Sequence, residues 1–176
     1  MRYRSDDLST LLAVGAMQPL AIPGNTFRLA LTEAQLTDVL DGLADEAAMA
    51  EAGYQRLPGE SGWWAGLDRV FYSPDAAATP AAELAEARAH FFLPRRLTDP
   101  HGGHDTVTFD PHGLLRTTVT DPVGNTTVAV NDYRVLAPAR VTEPAGARSE
   151  AAFDALGAVA GVAMLGTDDE PTGDTM

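Results

Sequence analysis

Six acidic residues stand eleven apart along the second half of the chain: Asp99, Asp110, Asp121, Asp132, Glu143 and Asp154. Gly follows three residues later in five of the six, at Gly102, Gly113, Gly124, Gly146 and Gly157, whereas the fourth unit carries Val135 there. A coarser period of 22 overlies this one. Leu97-Thr98-Asp99-Pro100-His101-Gly102 returns as Val119-Thr120-Asp121-Pro122-Val123-Gly124 and as Val141-Thr142-Glu143-Pro144-Ala145-Gly146. An acid first, Pro second and Gly fourth is the composition of a type I turn: the carboxylate accepts from nearby backbone N–H groups, Pro presets φ, and Gly leads back into a strand. Four turn residues leave about seven between turns, close to the common strand length. The intervals are rich in Val, Thr and Phe, as in Thr106-Val107-Thr108-Phe109, Thr117-Thr118-Val119 and Thr126-Thr127-Val128-Ala129-Val130. Val107 and Phe109 fall on one side with Thr106 and Thr108 on the other, the two-residue period of a half-buried strand. Residues 94–166 therefore read as an antiparallel meander of about six short strands, which must stack on neighbours to bury an apolar face.

Residues 1–93 have a different character, mixed helix and strand. From Thr32, a capping residue, the sequence Glu33-Ala34-Gln35-Leu36-Thr37-Asp38-Val39-Leu40-Asp41-Gly42-Leu43 puts Leu36, Val39, Leu40 and Leu43 on one helical face. An Ala/Glu-rich continuation carries this predicted helix to about Ala52, before Gly53. A second is predicted from Pro80 to about Phe91, with Thr79 as N-cap and Leu84, Ala87, Arg88 and Phe91 sharing a side. Between them, residues 67–73 read as a short strand ended by Ser73-Pro74-Asp75. Residues 167–176 read as an acidic, flexible tail.

Charge and composition exclude several function classes. Twelve basic residues, all Arg, against 25 acidic give a net charge of −13, which argues against nucleic acid and anionic membrane surfaces as partners. With no Cys, a disulfide framework, a thiol nucleophile, a Cys-rich zinc site and an iron–sulfur cluster are excluded. A hydrophobic fraction of 45% is ordinary for a globular chain. The charged start and the apolar stretch from Leu11 to Ile22, broken by Gly15, Gln18 and Pro19, make a poor signal peptide. No apolar run reaches the ~20 residues a spanning helix needs.

Several residue groups invite chemistry. His101, His104 and His112, with Asp99, Asp105 and Asp110 nearby, have the ligand types of a metal site, though two of the three His occupy Asp-Pro-His-Gly turns and none has helical i, i+4 presentation. The aligned acids suggest calcium, but each turn carries one carboxylate where a calcium loop concentrates several. Trp63, Trp64 and Tyr72 suggest a sugar platform or, alternatively, a core or subunit anchor. Arg95-Arg96 could clamp a phosphate or carboxylate, with intramolecular pairing expected on so acidic a chain. No Gly-x-Ser-x-Gly elbow or Gly-rich phosphate loop is present.

A 22-residue unit with Asp-Pro-x-Gly turns and a Phe-Asp-x-x-Gly element resembles the Rhs/YD repeats of large bacterial secreted proteins. Further strings narrow the resemblance: Arg69-Val70-Phe71-Tyr72-Ser73-Pro74 after Trp63-Trp64, Ala89-His90-Phe91-Phe92-Leu93-Pro94-Arg95-Arg96, Asn131-Asp132-Tyr133-Arg134-Val135-Leu136, and Phe153-Asp154-Ala155-Leu156-Gly157. Together, over residues 63–166, they are similar to the B component of insecticidal toxin complexes (Tc toxins). Local departures are Gly66-Leu67-Asp68 before Arg69 and Glu143-Pro144-Ala145-Gly146-Ala147-Arg148 where a more Asn/Asp-rich turn is usual. The resemblance implies a mainly β fold with minor α: antiparallel β-hairpin repeats of an Rhs/YD-like shell, preceded by a mixed α/β segment. It implies a non-catalytic wall piece, without cofactor, of a secreted shell that encloses a cytotoxic effector. Its partners would be the rest of the B component, the C component with its effector, and the pore-forming A component. With no propeller repeat and an acidic tail after Gly166, the chain is expected to be a middle piece of a longer protein. The rival expectations are a carbohydrate- or cell-surface-binding repeat module and a His-based metal enzyme.

Overall fold

The computed structural model describes residues 1–40, 45–167, 169 and 172–174. Thr79 accepts from the Ala82 N–H at 3.3 Å and Pro80 opens the first turn, so the predicted second helix forms as α3 (Pro80–Ala89). It ends two residues earlier than expected. Phe91 adopts a left-handed φ of 56° just past the C-cap His90, and the Phe92 N–H reaches back to the Ala87 carbonyl at 2.7 Å. This is a Schellman closure with a residue other than Gly at its left-handed position. It turns Phe91 out, at 79% exposure, and brings Phe92 in against Tyr72, edge-to-face at 5.7 Å. The helix face that packs is thus Leu84 and Ala87 continued by Phe92, while Arg88 and Phe91 are exposed.

The predicted helix over 33–52 is interrupted. α1 (Glu33–Leu40) and α2 (Glu46–Glu51) are separate, because Asp45 has extended backbone and N-caps α2 by accepting from the Ala48 N–H at 2.8 Å. Asp41, Gly42 and Leu43 lie outside the described residues. Sequence reading also missed a small antiparallel sheet, β1 (Phe27–Leu31), β2 (Tyr54–Gln55) and β3 (Trp63–Gly66), in the order β1-β3-β2. The expected strand over 67–73 shortens to β4 (Arg69–Phe71), which pairs antiparallel with β5 (Arg96–Thr98). These elements belong to an N-terminal unit, Met1–Gly103. Its core is Leu8, Ile22, Tyr72 and Ala87, with Val70, Leu84 and Phe92 packed against it.

The second unit, His104–Met176, contains the repeats. Six strands, β6 (His104–Phe109), β7 (Arg116–Thr120), β8 (Thr126–Asp132), β9 (Ala137–Thr142), β10 (Arg148–Phe153) and β11 (Val159–Leu165), pair antiparallel in chain order. The pattern of acids eleven apart is therefore a strand–turn period, as its composition requires. The 22-residue period has a second cause. Register shifts occur at Thr108/Phe109, Val130/Asn131 and Ala152/Phe153, one in every other hairpin and all beside turns at the same end of the meander. The pairings of β7 with β8 and of β9 with β10 run without a shift. Bulges at one end only add twist there and make alternate hairpins, not successive ones, equivalent. Among the described residues of this unit only Val107, Asp110 and Ala163 are buried. Val128, Val130, Val162 and Met164, on both faces, stay 43–64% exposed, so the sheet is a single layer without a core of its own.

Candidate functional site

The turns are built by their acids. The Asp121 carboxylate accepts from the Val123 and Asn125 N–H groups at 3.0 and 2.8 Å, while the backbone closes through Gly124 N–H to Asp121 O at 3.1 Å. Asp99 and Asp154 repeat the arrangement at distances of 2.7–3.0 Å. Gly102, Gly124, Gly146 and Gly157 take φ of 85–93°, the conformation that releases the chain into the next strand. The fourth turn departs as its sequence does. Val135 is not left-handed; Leu136 is, at φ 54°, so the left-handed residue stands one place later than the Gly of the other turns.

Turns at the same end touch one another across 22 residues. The Tyr133 hydroxyl donates to Asp110 Oδ2 at 2.6 Å, and the His112 ring meets Tyr133 edge-on at 6.0 Å. One period on, Arg134 donates to the Phe153 carbonyl at 3.4 Å, and a Cβ built on Gly157 would stand 3.1 Å from Val135 Cγ1. Val135 thus occupies the space that a fourth-unit Gly would leave empty. The Tyr133 hydrogen bond holds the Asp110 carboxyl below its usual range and pushes the Tyr133 phenol up. Asp121 is held low chiefly by the Asn125 carboxamide.

In the N-terminal unit the polar chemistry gathers around Phe71. Arg4 forms a fork with Glu83, Nη1 and Nη2 each 2.8 Å from one carboxylate oxygen, and Glu83 Oε1 also accepts from the Tyr72 N–H at 3.0 Å. Arg4, Arg69 and Arg96 lie with their guanidiniums 5.4, 5.8 and 4.3 Å from the Phe71 ring centre. Burial pushes the Arg96 guanidinium below its ordinary range. Sequence reading had no signal for this cluster: Arg4 and Glu83 are 79 residues apart, and Glu83 sits inside an Ala-rich helix.

The residues singled out from the sequence fare unequally. Trp63 and Tyr72 are 4% and 3% exposed, in β3 and in the core respectively, so with Trp64 they make no sugar platform; burial against Arg56 and Phe92 accounts for them. Trp64 is half-buried, its indole N–H donating to the Ser61 carbonyl at 3.2 Å. Arg95 pairs with Glu86 at 2.8 Å, and Arg96 donates to the Ser73 carbonyl at 3.3 Å, both within the chain. His101, His104 and His112 are exposed, and among the described residues no group of three His, Asp or Glu side chains is placed to hold a metal ion. The carboxylates of Asp99, Asp110, Asp121, Asp132 and Asp154 are spent on turn N–H groups. Among the described residues no helix is long and apolar enough to cross a membrane.

No protein-family model and no curated protein matches the chain. Solved structures do. The Tc holotoxin pore of Photorhabdus luminescens aligns with a TM-score of 0.70 at 21% identity, covering 99% of this chain and 8% of that one. The TcdB2–TccC3 complex with Cdc42 aligns with a TM-score of 0.70 at 22% identity, and TcdB2–TccC3 alone with 0.69 at 22%; each again covers 99% of this chain and 8% of that one. The chain therefore has the fold of a short stretch of these much longer Tc toxin chains.

Proposed function

We propose that this chain is a structural, non-catalytic segment of a Tc toxin B component, a length of wall in a secreted β-sheet shell that encloses and delivers a cytotoxic effector. The observation that carries the reading is the single-layer meander, with acid turns stacked 22 residues apart and apolar side chains exposed on both faces. A sheet of this kind gains its remaining burial from further strands and from neighbouring layers, as a wall does and a self-contained module does not. The fold shared with the Tc toxin chains, over 8% of their length, supports the same assignment. Its partners on this reading are the rest of the B component, the effector-bearing C component and the pore-forming A component. The charge of −13 serves solubility of a large secreted assembly.

The test is the size of the polypeptide that carries these residues. An antibody raised against 104–166, used on culture supernatant of the producing cells, is expected to detect a chain several times larger than 18.6 kDa, co-eluting with a toxin complex. A free 18.6-kDa product as the sole form overturns the proposal.

A further inference from the structure

The Phe71 cluster leaves one cation over. Arg4 is committed to both oxygens of Glu83 and to the Leu8 carbonyl at 2.7 Å. Arg96 donates to the Ser73 carbonyl and lies in the field of Glu83 and Asp75. Arg69 only stacks on Phe71: among the described residues its guanidinium donates to no oxygen. Three guanidiniums thus face two carboxylates, on a chain where acids outnumber Arg 25 to 12.

Arg69 stands between two cavities of about 240 and 220 Å³, and Asn25 is the other residue that lines both. The Asn25 carbonyl accepts from the Arg2 N–H at 2.7 Å, but among the described residues its carboxamide bonds nothing. A guanidinium beside a carboxamide N–H is the donor set for a planar carboxylate. The wall of the smaller cavity combines Leu8, Leu11 and Phe71 with Ser9, Thr10 and the Glu83-paired Arg4. Gly24 closes it. A Cβ there would lie 2.6 Å from both the Arg2 carbonyl oxygen and Leu11 Cδ1, so any larger residue would push Leu11.

We propose that Arg69 and Asn25 form a binding site for an organic carboxylate, seated in the 220 Å³ cavity beside Phe71. The apolar walls suit the carbon body of an acid better than a bare inorganic anion, and the charge of −13 repels an extended polyanion. The volume is below the roughly 300–1,000 Å³ of drug-sized ligands, and fits one acidic side chain of a docked peptide or a free acid the size of glutarate. The site is independent of the shell role.

Titration of the 176-residue protein with glutarate tests it, followed by NMR at the Arg69 Nε–H and the Asn25 carboxamide. Saturable shifts at both groups are expected, with affinity lowered at least about tenfold in Arg69→Gln and unchanged in Arg88→Gln, an exposed position of α3. Should Arg69→Gln unfold, Asn25→Asp serves instead: the new carboxylate pairs with Arg69 and displaces glutarate. Tighter binding by a capped Glu peptide than by glutarate assigns the ligand to a docked acidic segment, and the reverse order assigns it to a free acid. Absence of saturable shifts, equal affinity for inorganic phosphate, or undiminished binding in Asn25→Asp overturns the proposal.

Discussion

Asp121 and Glu143 occupy equivalent places in the register, yet only Asp121 bonds its turn through the side chain. Asp121 accepts from two backbone N–H groups, whereas among the described residues the Glu143 carboxylate accepts from none and its turn closes through the backbone alone. One methylene decides it, because the Asx arrangement needs the short arm of Asp. Asp121→Ala is therefore expected to speed hydrogen exchange at the Val123 and Asn125 amides, on the order of fivefold, and Glu143→Ala to leave exchange in its own turn unchanged. The Asp110–Tyr133 bond makes a pH-dependent counterpart. The Asp110 carboxyl is held low in the fold, so its contribution to stability is present above the unfolded value of about 3.9 and is lost as pH falls through the lower folded value. NMR titration of Tyr133→Phe should show the Asp110 carboxyl rising toward its ordinary range and the acid limb of stability flattening. Glu83 is a third case. Its side chain is 6% exposed and answers Arg4, 13% exposed, so Glu83→Ala leaves a nearly buried guanidinium uncompensated and should cost about 3–5 kcal/mol in urea denaturation. The turn acids were legible in the sequence because an Asx turn is complete within five residues. The Arg4–Glu83 pair was not, because nothing local announces a partner 79 positions away.

Elements follow the same division. β6 to β11 were readable because each strand is bounded by its own turn and pairs with the next in sequence. The small sheet was not: β1 and β2 both pair with β3 across loops, and the Trp63-Trp64 pair that marks β3 has no alternation to separate a strand from an aromatic patch. α1 and α2 looked continuous because Ala and Glu favour helix on either side of the break, and the decisive residue, Asp45, is as much a capping residue as an ordinary surface acid. The 22-residue period was visible, but its cause was not, since a bulge is a property of a pair of strands. Gly157 gives a test of turn stacking. Its φ of 85° makes Gly157→Ala costly by about 1–2 kcal/mol from backbone conformation alone, and the 3.1 Å approach to Val135 adds to that. A Val135→Ala background should relieve only the additional steric part, which a double-mutant cycle measures.

At the scale of the molecule, the two units differ in how they hold together. Residues 1–103 have a core around Leu8, Ile22, Tyr72 and Ala87, tied by a nearly buried ion pair. Among the described residues the meander has strand pairing and turn bonds but no second layer, and β11 meets a neighbour on its outer side near its end, where the Asp174 N–H bonds the Met164 carbonyl at 2.8 Å and Asp174 Oδ2 accepts from the Met164 N–H at 3.1 Å. A wall segment taken from its wall should therefore be weak in the sheet and firm in the core. The change of sequence character at Pro94 and the end of the first unit at Gly103 fall close together because β5 has repeat-like sequence but pairs with β4 in the N-terminal unit. Hydrogen exchange on the isolated 176-residue chain, read strand by strand while the temperature is raised, tests the wall assignment most directly. Amides of β8 to β11 should exchange with low protection and melt without a cooperative transition, well before those around Tyr72 and Ala87. A single cooperative transition at high temperature, with the meander protected as strongly as the core, would contradict it.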